Sequence, residues 1–148
     1  PKMIIADDLT SSLDVVVQRQ VMETIQRLQQ ELGISMMLIG HDMGLMAQSV
    51  EQLAVMYAGR LAELAEINTI FEEPLHPYTQ LLINTLPVLG TKGVFRGIPG
   101  ITPSLVDPPP GCLFHPRCPE AREVCRQRVP VWQEARPGRW VACHNYEV

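Results

Sequence analysis

The first 40 residues carry the pattern that most constrains the fold. An apolar run, "KMIIAD" at residues 2–7, predicts a buried strand. A second apolar run, "SMMLIG" at residues 35–40, predicts another. Between them, apolar residues recur at helical spacing before Gly33 ends the predicted helix: Val17, Val21, Ile25, Leu28 and Leu32. Strand, helix and strand with short connections are typical of a parallel sheet, so we predict an α/β fold.

The rest of the chain divides near residue 87. Before it we predict a short helix at about 43–50 and two strands, "QLAVMY" and "RLAELA", joined by a turn at Ala58-Gly59. After it, "GIPGITPSLVDPPPG" is rich in proline and glycine and leads into a segment with all four cysteines. We therefore predict two domains, residues 1–87 and 88–148. The second is a Pro-rich linker followed by a small cysteine module with too little apolar material to fold unaided.

Composition and charge limit the classes of function. The chain has neither a signal-peptide pattern nor an apolar stretch long enough for a membrane span, so we expect any membrane association to run through a partner. Its formal net charge of −4 argues against a general nucleic-acid binder. The chain begins at Pro1 rather than at an initiator methionine, which indicates a piece of a longer protein.

Charged side chains follow both strands of the first predicted pair. Asp7 and Asp8 end the first strand, and His41 follows the second. In an open parallel sheet, ligands bind at the carboxyl ends of the strands. One carboxylate there can hold Mg²⁺ on a nucleotide while its neighbour polarises a water for attack on phosphorus, and a histidine can reach the same phosphate. The alternative is that the acidic pair only caps the next helix and that His41 is an ordinary polar residue.

Three segments together resemble a known family. They are "MIIADDLTSSLDVVVQRQV", "LIGHDMGLMAQSVEQLAVMYAGRLAE" and "IFEEPLHPYTQLLINTLP". The chain resembles the later half of an ABC transporter ATP-binding subunit of the dipeptide/oligopeptide (and nickel) uptake family. The most specific signal is the triplet His76-Pro77-Tyr78, followed by a Pro-rich stretch and cysteines. The resemblance implies part of a parallel-sheet P-loop NTPase (ABC ATPase) core with a small Cys-rich C-terminal metal module.

The resemblance also assigns roles to individual residues. "MIIAD" corresponds to the Walker B strand, in which Asp7 serves Mg²⁺, and Asp8 occupies the position of the catalytic base. "SSLD" corresponds to the D-loop with Asp14, and His41 corresponds to the switch histidine. ATP and Mg²⁺ are thus the expected nucleotide and metal.

Departures from the family pattern limit these assignments. The family has Glu at the position of Asp8, Pro at that of Leu9 and usually Thr at that of Gly40. Asp8 withdraws the carboxylate by about one methylene, which argues against full hydrolytic competence. The Gly-rich phosphate loop, the Q-loop and the signature motif would precede residue 1 in the family. We therefore expect this fragment alone to be inactive.

The four cysteines suggest a metal site. Their spacing, C-x5-C-x6-C-x17-C, fits neither common zinc ribbons nor ferredoxins. Disulfides are disfavoured for an ATPase without an export signal. The resemblance implies a [4Fe–4S] cluster bound by Cys112, Cys118, Cys125 and Cys143, and six arginines between residues 117 and 139 would offset its negative charge. Zinc is the alternative, with His115 or His144 as substitute ligands.

The implied function is that of an ATP-binding and ATP-hydrolysing subunit of a dipeptide/oligopeptide ABC importer. The implied partners are a second ABC ATPase subunit, transmembrane permease subunits and, indirectly, a periplasmic or extracellular peptide-binding protein, without nucleic acid. The implied location is peripheral, at the cytoplasmic face of the inner membrane. Two alternatives stay open. Asp8 permits a non-hydrolysing subunit of a heterodimer, and the Arg-rich tail permits a nucleic-acid-associated ABC ATPase with a metal module.

Overall fold

The chain forms two compact units, Pro1–Val50 and Glu51–Val148, in a computed structural model that describes residues 1–86 and 97–147. The first unit contains β1 (Met3–Asp7), α1 (Val15–Leu32), β2 (Ser35–Ile39) and α2 (Met43–Ser49). β1 and β2 pair in parallel, with Asp7 opposite Ile39. The predicted strand–helix–strand order is confirmed here, and both strands end at the same edge.

α1 begins and ends where local chemistry predicts. The Asp14 carboxylate accepts hydrogen bonds from Val16 N and Val17 N, each at 3.0 Å, and so caps the first turn. Gly33 closes the other end in the left-handed conformation. The helix is therefore held at both termini by residues of its own segment.

The prediction that the first two strands are buried is wrong for this chain. Only Ala6 is buried in β1, whereas Ile5 is 64% exposed, and Met37 in β2 is 48% exposed. A parallel sheet usually has both faces covered by helices. In this unit the described sheet has only two strands, so too little chain is available to cover both faces.

The second unit is built on an antiparallel sheet of four strands, in the order β3-β4-β6-β5. The strands are β3 (Gln52–Tyr57), β4 (Arg60–Glu66), β5 (Gln133–Arg136) and β6 (Arg139–Val141). The described residues of this unit also form the α-helices α3 (Ile67–Glu72), α4 (Pro77–Asn84) and α5 (Glu123–Gln127). The β3–β4 hairpin with its turn at Ala58-Gly59 is confirmed, and it extends an antiparallel rather than a parallel sheet.

Long-range strand pairing makes these units differ from the predicted domains. Glu63 and Leu64 of β4 lie opposite Val141 and Trp140 of β6, so strands from both predicted domains share one sheet. The predicted boundary at residue 87 and the first part of the linker lie outside the described residues. The cysteine module thus folds on a sheet edge that β4 supplies, which accounts for its small apolar content.

An aromatic cluster forms the core of the second unit. Tyr57 of β3, Tyr78 of α4 and Phe114 of the cysteine module pack with ring centroids 4.7–5.4 Å apart. Tyr57 and Phe114 are buried, and Ala62 of β4 completes the cluster. The Tyr of the "HPY" triplet therefore packs directly on the cysteine module. In the described part of the chain, no helix is both long and apolar enough to cross a membrane.

Candidate functional sites

The acidic pair lies where β1 ends. Asp7 is the last residue of the strand, whereas Asp8 leaves it with φ 48°, a left-handed value that non-glycine residues rarely adopt. Asp8 N donates a hydrogen bond to Ile39 O at 2.9 Å. This bond fixes the turn after β1 against the end of β2.

Asp8 and His41 meet at this edge. The distance from His41 Nδ1 to Asp8 Oδ1 is 3.6 Å, and the side chains are 86% and 49% exposed, respectively. A polar contact so exposed contributes little to stability. Both side chains line one pocket, together with Thr10, Gly40 and Asp42. The structure therefore brings together the predicted base and the predicted phosphate-contacting histidine, while their roles stay predictions.

Asp7 and Asp14 do not line this pocket. Asp14 caps α1, and Asp42 caps α2 by accepting from Leu45 N at 3.0 Å. The side chain that caps α1 is therefore that of Asp14, while the alternative that the acidic pair caps the turn into this helix stays a prediction. Gly40 also has a local reason: a Cβ there would lie 2.8 Å from Met46 Cε, so the Thr usual in the family would displace Met46.

The four cysteines surround a second pocket, in the second unit. We call it the cysteine cavity; its lining includes Cys112, Cys118, Cys125, Cys143, His76, His115 and His144. All four cysteines are free of disulfides. Burial raises the pKa of the Cys112 and Cys118 thiols and raises that of Cys143 to about 11. Each of these thiols would have to lose a proton to bind a metal.

Backbone contacts hold the cysteine segments together. Cys112 N donates to Cys125 O at 2.8 Å, and Arg122 N donates to Cys125 Sγ at 3.4 Å. Within the described residues, however, no three His, Cys, Asp or Glu side chains lie close enough together to hold a metal ion. The donor type and the common cavity suit a thiolate-bound metal. A formed metal centre is not shown.

The two histidines considered as substitute ligands have different surroundings. His115 Nδ1 lies 2.9 Å from Cys112 O, a contact that leaves its other nitrogen available. His144 Nε2 lies 2.8 Å from Arg128 O. His144 Nδ1 lies 2.9 Å from Glu147 Oε2, although the alignment makes no hydrogen bond.

The "HPY" triplet begins α4 at the same cavity. His76 Nδ1 accepts a hydrogen bond from Tyr78 N at 3.0 Å and so caps the helix, and Pro77 occupies its first position. Burial lowers the pKa of His76 to about 4, so the ring is neutral near pH 7. His76 thus joins the helix start and the cysteine cavity through one buried, neutral ring.

Sequence reasoning missed Glu63. This carboxylate is completely buried in β4 and accepts hydrogen bonds from Leu75 N at 2.8 Å and His76 N at 2.9 Å. It thereby orders the backbone that enters the "HPY" triplet. The available signal was a charged residue inside the short apolar run "LAELA".

Similarity to known proteins agrees with this geometry. Residues 62–125 match the family model described as "Oligopeptide/dipeptide transporter, C-terminal region". The chain is 39% identical, over 99% of its length, to the oligopeptide transport ATP-binding protein AppF of Bacillus subtilis (strain 168). It is 41% identical, over 97% of its length, to the dipeptide transport ATP-binding protein DppD of Escherichia coli (strain K12).

The chain spans about half the length of these relatives, 46% of AppF and 44% of DppD. Among solved structures, the chain is similar to cbiO1 from Clostridium perfringens, which is part of the ABC transporter complex cbiONQ. The match covers 49% of this chain and 29% of the cbiO1 chain, with a sequence identity of 29% and a TM-score of 0.46. The relatives define a class, the ATP-binding proteins of transporters. Within it, the resemblance to the C-terminal part of the dipeptide/oligopeptide uptake family is confirmed.

Proposed function

We propose that this chain is part of the ATP-hydrolysing subunit of a dipeptide or oligopeptide ABC importer, which couples ATP hydrolysis to peptide uptake. The observation that carries the proposal is the similarity, over 97–99% of the chain, to oligopeptide and dipeptide transport ATP-binding proteins. The partners would be a second ATPase subunit, transmembrane permease subunits and, indirectly, a solute-binding protein. The subunit would lie peripherally at the cytoplasmic face of the inner membrane.

The acidic edge supplies the chemistry in this proposal. Asp7 would serve Mg²⁺ on the nucleotide, Asp8 would orient and deprotonate the attacking water, and His41 would contact the γ-phosphate. The 3.6 Å separation of Asp8 and His41 on one pocket supports their acting on the same phosphate. Asp14 would act across the interface with the second ATPase subunit, from its fixed position at the start of α1.

The experiment measures phosphate release by the full-length protein with its partner subunits. Asp8→Asn should leave ATP bound but unhydrolysed. Asp8→Glu should raise turnover, because a base displaced by about 1 Å can cost about 100-fold in rate. Glu23→Gln is the matched control, because it removes an exposed carboxylate of α1 that does not line this pocket. Wild-type turnover in Asp8→Asn would show that Asp8 is not the base.

A heterodimer with one inactive site is the second candidate, and the short side chain of Asp8 favours it. In that case both Asp8 variants would match the wild type, and all turnover would depend on the partner's site. Asp7→Asn separates the two functions further. It should abolish Mg²⁺-dependent nucleotide binding whether or not the site hydrolyses ATP, as measured by calorimetry with and without Mg²⁺.

For the cysteine cavity, we propose a [4Fe–4S] cluster held by Cys112, Cys118, Cys125 and Cys143, with zinc as the alternative. Four free cysteines lining one cavity support this proposal. When bound, the metal would cross-link four chain segments that have little apolar core of their own. Anaerobically purified full-length protein should be brown, with about four irons per chain. Colourless protein with one zinc per chain would show that the site binds zinc rather than an iron–sulfur cluster.

A further inference from the structure

The second unit contains a further pocket, which we call the apolar cavity. It has a volume of about 290 Å³ and opens between the β3–β4 hairpin, the cysteine module and the segment that leads into β5. We infer that the apolar cavity binds a small apolar carboxylic acid, whose carboxylate pairs with Arg60. The inference rests on neither the nucleotide site nor the metal site.

The walls of the apolar cavity suit an apolar ligand. Tyr57 is fixed in the aromatic core, and the ring of Trp132 stacks on that of Trp140 with centroids 6.2 Å apart, so aromatic walls exist without a ligand. Leu61 and Val129 also line the cavity and are 42% and 45% exposed. An apolar ligand would cover this exposed surface, which favours binding. Small-molecule sites typically enclose about 300–1,000 Å³, so this volume fits a small ligand.

The charge of the lining favours an anion. Arg60 lines the apolar cavity, and the described lining contains no aspartate or glutamate. Elsewhere in this unit, Arg136 and Arg139 both pair with Glu73. The Arg60 side chain is exposed and makes no such ion pair within the described residues. A ligand carboxylate would therefore meet one available guanidinium and no repelling charge.

The same lining disfavours a ligand that also carries a positive charge. An ammonium group in the apolar cavity would find no carboxylate partner in the described lining. The ring of His76 also lines the cavity, but its Nδ1 already accepts from Tyr78 N at 3.0 Å. A cation moved out of water without a partner is costly. The cavity therefore favours a monoanion over a zwitterion such as a free amino acid.

Probes that share one apolar body and differ in charge test this inference on the full-length protein by calorimetry. Hydrocinnamate carries a carboxylate, hydrocinnamamide is its neutral amide, and phenylalanine is hydrocinnamate with an added ammonium group. Hydrocinnamate should bind at a single site with a Kd of about 1 mM, as expected for about eleven non-hydrogen atoms. The amide should bind about 3–5-fold more weakly, because an exposed charge pair contributes no more than this. Phenylalanine should also bind more weakly than hydrocinnamate.

Substitutions in the lining test the role of charge from the protein side. Arg60→Gln should make the acid and the amide bind equally, because the cation is lost while the apolar walls remain. Val129→Asp adds a carboxylate at an exposed lining position and should weaken binding of the acid more than that of the amide. Arg27→Gln is the matched control, since it removes an exposed arginine of α1 that does not line the cavity. Thermal unfolding of each variant checks that the fold is kept.

Tryptophan fluorescence locates the bound acid. Hydrocinnamate should change the fluorescence of the wild type, and this change should be lost in Trp132→Phe, which keeps an aromatic wall. Absence of saturable binding by the wild type, or equal wild-type affinities for the acid and the amide, would overturn the inference. An unchanged preference for the acid in Arg60→Gln would overturn the assignment of Arg60. Tighter binding of phenylalanine than of hydrocinnamate would overturn the preference for a monoanion.

Discussion

Gly111→Ala is expected to destabilise the cysteine module more than Gly138→Ala does. Gly111 precedes Cys112 and has φ 73°. A Cβ at this position would lie 2.4 Å from Cys125 O and 2.9 Å from the Arg126 carbonyl carbon. These are backbone atoms of α5, which cannot rotate away as the end of a side chain can.

Two costs add at this position. The left-handed backbone costs about 1–2 kcal/mol for any residue with a Cβ. To relieve the overlap, the chain must also separate from α5, which breaks the hydrogen bond from Cys112 N to Cys125 O and leaves buried groups unpaired at about 1–3 kcal/mol. The expected loss is therefore about 2–5 kcal/mol. Gly138 is the matched control, because it has φ 71° but nothing within 4 Å of its Cβ position.

Hydrogen–deuterium exchange of the full-length protein measures the effect locally. Gly111→Ala should speed exchange of the amides at 112–127 far more than Gly138→Ala does, since the control costs only the left-handed strain of about 1–2 kcal/mol. Equal acceleration by the two variants would show that the close approach to α5 contributes nothing. Unchanged exchange in Gly111→Ala would refute the reasoning altogether.

Two further substitutions test buried polar groups of the second unit by chemical unfolding. Glu63→Gln places an amide donor against Leu75 N or His76 N and should cost about 2–4 kcal/mol. Glu72→Gln, at an exposed carboxylate that ends α3, should have little effect, and equal effects of the two changes would mean that burial of Glu63 is unimportant. Thr79→Val removes a buried hydroxyl that has no hydrogen-bond partner among the described residues. The free energy of unfolding should therefore stay the same or rise by about 1 kcal/mol. A clear loss of stability would show that the hydroxyl has a partner.

Features encoded locally could be predicted from the sequence. The spacing of apolar residues predicted α1, and Gly33 gave its end. The apolar runs on either side predicted β1 and β2, and their parallel pairing followed from the short connections. Because parallel strands end at one edge of a sheet, the sequence also predicted that Asp8 and His41 lie close together. In the structure, Asp8 Oδ1 and His41 Nδ1 are 3.6 Å apart.

Features that depend on distant pairing could not be predicted. β4 pairs with β6 across more than 70 residues of chain, and no periodicity within either strand specifies the partner. The burial of Glu63 follows from that pairing, because β6 covers β4 beside it while the backbone of Leu75 and His76 supplies the donors. Exposure of β1 and β2 was missed for the opposite reason: their apolar faces fit a larger sheet than the two described strands.

The adjacent carboxylates at the end of β1 are tolerated because the backbone turns between them. Asp7 keeps its strand register opposite Ile39, whereas Asp8 adopts φ 48° and lines the pocket with His41. Both residues are exposed, so water screens their repulsion and neither carboxylate pays a large desolvation cost. Folding of this edge therefore requires no cation. The same turn gives the two carboxylates different surroundings, which the separate roles proposed for them, one with Mg²⁺ and the other with the attacking water, would require.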